Sequence, residues 1–189
     1  MTTRPQPKDA SSDPTGLERA RVGLFTMPRM LGQDVASAMK TLADIGYKEV
    51  EFFGPYPHSV PEAHEQWESM AESLEFSQSG YFGLASERVR RILDENGLFS
   101  PSMHIELKTL RTRLDDVVEA AHALGQEYVG LPFIPPDIRE RLDDDRRIAD
   151  VFNELGMRRE EVGLTLLYHN HGYGLGEMGG RFPTLQNRG

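Results

Sequence analysis

Four times along this chain a stretch with helical periodicity runs into a glycine, and a short apolar run begins within a few residues. The glycines are Gly46, Gly97, Gly125 and Gly163. Glycine just past a helix takes the left-handed conformation that ends the helix without a steric penalty. The first apolar run is 22–27 (VGLFTM), read as a buried strand. Asp34 is placed to cap a helix carrying Val35, Ala38, Met39, Leu42 and Ile45, which Gly46 closes. Residues 49–54 (EVEFFG) read as a second strand, and Ser86 as the cap of a helix with Val89, Ile92 and Leu93. A third strand follows at 100–106. The next helix has Leu110, Leu114, Val117, Val118, Ala121 and Leu124 on one face. Strands at 128–133 and 164–169 flank a helix marked by Ile148, Val151, Phe152 and Leu155.

Helices of this length between strands are crossover connections, so the strands are expected to run parallel. Two α/β architectures fit that pattern, a doubly wound sheet and a (β/α)8 barrel. A glycine-rich phosphate loop after the first strand would favour the sheet. Here the first strand runs into Met27, Pro28, Arg29 and Met30 instead, so the barrel is preferred. A full barrel takes about 250 residues and eight strands, and the 189 residues here supply about five of the eight units. The expected layout is a disordered arm at 1–20, an incomplete barrel at 21–180 and an irregular tail at 181–189. Leu24, Val50 and Leu167 are expected to line the barrel interior. The first and fifth strands would then be open edges, which invite self-association.

The fifth strand ends in His169, Asn170 and His171. Side chains two apart on a strand share a face at a spacing of about 7 Å, so both imidazoles are expected to look into one cavity. Imidazoles there suit a divalent metal or proton transfer. In parallel β/α proteins the chemistry sits at the carboxyl ends of the strands. A pair of histidines satisfied by backbone is the alternative.

The chain carries 21 basic and 30 acidic residues, a formal net charge of −9, which runs against binding to nucleic acid. Without cysteine, any metal site must draw on His, Asp and Glu. No apolar run approaches the roughly 20 residues that span a bilayer, and the start lacks an apolar signal core. Neither a membrane nor a nucleic-acid partner is expected, and the cytoplasm is the expected location. Between the second strand and its helix lies an insertion at 55–85 with Tyr56, Trp67, Phe76, Tyr81 and Phe82. Ala63, Trp67, Met70, Ala71 and Leu74 predict a helix within it. It fits either a lid over the strand ends or a scaffold on the rim.

Residues 45–54 (IGYKEVEFFG), 100–111 (SPSMHIELKTLR), 123–136 (ALGQEYVGLPFIPP) and 166–174 (LLYHNHGYG) resemble the sugar phosphate isomerase/epimerase family, which has the xylose isomerase-like TIM barrel. The resemblance runs from about 22 to 180 and marks the chain as a member shortened after the fifth strand. It implies a divalent metal (Mn, Mg, Co or Zn), a small sugar or polyol substrate, and proton transfer through an enediolate. By position it implies His169 as metal ligand, His104 and Glu51 as catalytic residues, and His171 and Glu177 as substrate-binding residues. In relatives that epimerise ketoses a Glu commonly stands where His169 does.

Each of these side chains has a second reading. Glu51 can pair with an interior Arg or Lys, and His104 can bond a loop carbonyl. His58, His64 and His122 are expected on solvated segments. Asp143, Asp144 and Asp145 read as first-turn carboxylates favoured by the helix dipole. Arg90, Arg91, Arg146 and Arg147 read as solvated helix faces. Two other function classes stay open: a metal-dependent hydrolase or AP endonuclease on a similar barrel, and a non-catalytic fragment.

Overall fold

Five strands and eight helices alternate along the residues that the computed structural model describes, 20–172 without 75 and 77. The strands are β1 (Arg21–Gly23), β2 (Glu49–Phe53), β3 (Phe99–His104), β4 (Tyr128–Leu131) and β5 (Thr165–Tyr168). The helices are α1 (Pro28–Gln33), α2 (Val35–Ile45), α3 (Pro61–Leu74), α4 (Ser86–Glu95), α5 (Leu107–Thr112), α6 (Leu114–Leu124), α7 (Leu142–Met157) and α8 (Arg159–Val162). The arm, apart from Ala20, and the tail expected at 181–189 lie outside the described residues, as does Glu177.

The strands form one sheet in chain order, every neighbouring pair parallel. β1 and β5 are its outer strands, so the described residues make an α/β barrel that is not closed. Among the described residues no helix is long and apolar enough to cross a membrane.

Local chemistry explains the best-read elements. Asp34 caps α2, its Oδ1 accepting from the Ser37 backbone N–H at 3.1 Å. Gly46 ends that helix at φ 119°, a conformation closed to most side chains. Val35, Ala38, Met39 and Leu42 are buried, whereas Ile45, expected on the same face, is half exposed. In α7, Asp144 occupies the first turn and accepts from the Arg141 backbone N–H at 2.9 Å. Arg146 and Arg147 lie on an exposed face, as expected, and pair one turn back with Asp143 and Asp144.

Three expected element boundaries or caps need correction. The first strand ends at Gly23, and Leu24–Thr26 is a 3-10 turn closed by Thr26 Oγ1 donating to the Gly23 carbonyl at 2.8 Å. Pro28, preset for the first turn of a helix, then opens α1. The helix at 110–124 is two helices, broken at Arg113, whose guanidinium donates to the His58 carbonyl at 3.3 Å. Ser86 does not cap α4; Ala85 holds that position without a side-chain bond.

Strand alternation settles which face is the interior. Glu49, Glu51 and Phe53 share one face of β2, and Val50 and Phe52 share the other. Val50 and Phe52 are fully buried on the face opposite Glu51, so Val50 does not line the barrel interior. Leu24 is fully buried within the 3-10 turn, and Leu167 on β5 is 38% exposed.

The insertion is built into this core. Tyr56, Trp67, Tyr81 and Phe82 are buried with the sheet residues Phe52 and Phe53. α3 lies where the spacing predicts it, burying Ala63, Trp67 and Ala71 and leaving Met70 exposed.

Candidate active site

Glu51, His104 and His169 meet at the carboxyl end of the sheet. Glu51 stands opposite Ser102 in the ladder, and His104, two residues on, lies opposite Phe53. Alternation therefore places Glu51, Ser102 and His104 on one face. The ladder continues one residue past β5, where the His169 N–H donates to the Leu131 carbonyl at 3.0 Å.

Glu51 Oε1 is 3.1 Å from His104 Nε2, and the two side chains are 17% and 18% exposed. His169 Nδ1 approaches the same Nε2 at 3.3 Å. Nε2 has a single in-plane position, which holds either a proton or a lone pair. With a proton it donates to Glu51; with a lone pair it accepts from His169. One nitrogen thus lies within hydrogen-bond reach of two partners, an arrangement that a proton relay can use. His171 follows, its ring stacked on His169 with centroids 4.8 Å apart and 11° between planes. The two rings meet because the chain has left the strand, and both are exposed.

Burial is the main cause that holds the His104 pKa below the ordinary histidine value. The Glu51 carboxylate opposes that shift, while His169 and His171 add to it. A lowered pKa favours the neutral imidazole, the form that can accept a proton.

The fold has known relatives in structure alone. No protein-family model matches the sequence, and no curated protein does. A sugar phosphate isomerase/epimerase from Parabacteroides distasonis superposes with a TM-score of 0.66 at 21% identity, over 95% of this chain and 65% of that one. An AP endonuclease of family 2 from Brucella melitensis gives 0.53 at 13% identity, over 78% of this chain and 54% of its own. The IolI protein with a bound zinc atom gives 0.50 at 12% identity, over 78% and 50%. The chain has the fold of the sugar phosphate isomerase/epimerase barrels. It spans less than two thirds of the length of those structures.

The structure brings four of the five expected site residues, Glu51, His104, His169 and His171, into one cluster; Glu177 lies outside the described residues. Among the described residues no group of three or more His, Asp or Glu side chains is disposed to hold a metal ion. His58 is not solvated as expected. It stacks on Tyr56 at 5.3 Å, and burial pushes its pKa down.

Two contributors escaped the sequence reading. Ser102 donates its hydroxyl proton to Glu51 Oε2. Gly130 on β4 gives His104 its room, since a Cβ there would lie 2.8 Å from His104 Cδ2. Glycine inside a strand is the signal for such a close approach. Gly130→Ala is expected to displace the imidazole and to destabilise the fold by about 1–3 kcal/mol, as overpacking does. Urea unfolding checks this; a variant as stable as the parent would mean that His104 has room to move.

Proposed function

We propose that this chain carries a proton-transfer site acting on a sugar or sugar phosphate, of the isomerase or epimerase kind. The observation that carries the reading is the contact of Glu51 Oε1 with His104 Nε2 at 3.1 Å, beside His169, at the carboxyl end of a parallel β/α barrel. A carbon-bound hydrogen next to a sugar carbonyl leaves as a proton to the Glu51–His104 pair, and its electrons form an enediolate. Returning the proton to the neighbouring carbon, while the hydroxyl proton moves to the former carbonyl oxygen, isomerises the sugar; protonation of the same carbon by a donor on the opposite face epimerises it. His104 accepts and hands on the proton, Glu51 steadies the charge, and His171 contacts substrate hydroxyls.

A divalent ion (Mn, Mg, Co or Zn) belongs to this proposal as a group that would stabilise enediolate charge when bound. His169 would give it one nitrogen. The described residues do not assemble three donors for it. Abasic-site cleavage on a similar barrel is disfavoured by the net charge of −9.

The test is hydrogen exchange by NMR in D₂O, with a panel of aldoses, ketoses and their phosphates. At least one sugar is expected to lose its C–H signal beside the carbonyl. Glu51→Gln is expected to slow that loss about 10²–10⁴-fold, the usual weight of general acid–base catalysis. No exchange with any sugar, together with cleavage of abasic DNA, would overturn the proposal.

A further inference from the structure

The geometry assigns Ser102, held by Arg21, as the positioning residue that decides which oxygen of Glu51 faces His104. This inference rests on the proton-transfer reading of Glu51 and His104.

A serine hydroxyl carries one proton and two lone pairs, whereas a guanidinium only donates. Arg21 Nη1 donates to Ser102 Oγ at 3.3 Å, so one lone pair of the hydroxyl is taken. Arg21 is itself oriented by Glu49, whose Oε2 accepts from Nε at 3.0 Å and from Nη2 at 2.9 Å. The remaining Ser102 proton points at Glu51 Oε2. That leaves Oε1 for His104 Nε2 at 3.1 Å.

The terminal torsion of a glutamate is broad and roughly two-fold, so an unanchored carboxylate presents either oxygen. Ser102 is fully buried, and its own backbone is pinned. Its carbonyl accepts from Ser100 Oγ at 3.0 Å and from Gln126 Nε2 at 3.2 Å. The register that places Ser102 opposite Glu51, and Arg21 opposite Glu49, sets these four side chains on one interior face. The polar file from Arg21 through Ser102 and Glu51 to His104 thus transmits orientation from the first strand to the strand ends.

The experiment records the ¹⁵N shift of His104 Nε2 at one fixed pH in histidine-labelled protein, with Glu51→Gln as the reference for a broken contact. Ser102→Ala is expected to move the shift toward that of Glu51→Gln, and Ser102→Thr, which restores the hydroxyl, to keep the parent value. Arg21→Met leaves Ser102 in place and guards against misfolding of the alanine variant; it is expected to give an intermediate shift. Where a sugar exchanges, Ser102→Ala should lower kcat about 10–100-fold with KM changed less than about threefold. A Ser102→Ala shift equal to the parent's, with Glu51→Gln distinct, would overturn the inference. A shift that moves as expected in a protein that exchanges no sugar supports the positioning role and removes only the functional reading beneath it.

Discussion

Replacing Trp67 by alanine is expected to cost about 3–5 kcal/mol, the range for truncating a buried aromatic. Trp67 is 7% exposed and packs its ring against Phe53 and Phe76 at 5.6 Å and Phe25 at 6.5 Å. Such ring pairs add about 0.5–1.5 kcal/mol beyond the area they bury. The insertion is also tied down by polar contacts. The Gly80 N–H donates to the Phe53 carbonyl at 2.9 Å, and the Val60 N–H to Thr109 Oγ1 at 2.9 Å. Lys108 pairs with Glu62 at 2.6 Å. Phe82 holds φ at 53°, a region costly for a side-chain-bearing residue, and its ring is buried against Phe53 at 5.7 Å. These ties favour the scaffold reading over a freely opening lid. Because Trp67 is the chain's one tryptophan, its fluorescence reports on this segment. Urea unfolding followed by fluorescence and by far-UV circular dichroism is expected to give coincident transitions in the parent. An early fluorescence transition, or a Trp67→Ala variant within about 1 kcal/mol of the parent, would make the insertion an independent flap.

Local signals made much of the fold legible. Asp34, the apolar spacing through Leu42 and the terminating Gly46 all lie within one element, and α2 is where they place it. The same holds for α3, whose Ala63, Trp67 and Ala71 recur at helical spacing. The break between α5 and α6 was not legible from local signals. Apolar positions continue across it, and Arg113 is neither glycine nor proline. At the break Arg113 bonds to the insertion, 55 residues away. The end of β1 at Gly23 escaped for a similar reason, since an apolar run such as LFT suits a strand or a turn equally.

The site divides along the same line. His104 and His169 were recognisable as strand-end histidines, yet only the register of β2, β3 and β5 shows that their rings meet. Glu51 had been open to pairing with an interior arginine. Arg21 is that arginine, but it pairs with Glu49 and reaches Glu51 only through Ser102. The room Gly130 leaves for His104 is likewise a matter of which strand lies beside which.

Glu51 and His104 are expected to act as one unit, so removing either should cost nearly as much as removing both. Each of Glu51→Gln and His104→Gln is expected to slow solvent exchange of the responsive sugar about 10²–10⁴-fold. Groups that share one proton lose their function together, which makes their separate losses strongly non-additive. The decisive measurement is the exchange rate of the Glu51→Gln, His104→Gln double variant beside the two single variants, on the same sugar at the same pH. Coupled action gives a double variant no slower than the slower single one. A double variant slower by the product of the two single losses would show that the two side chains act independently, and would contradict it.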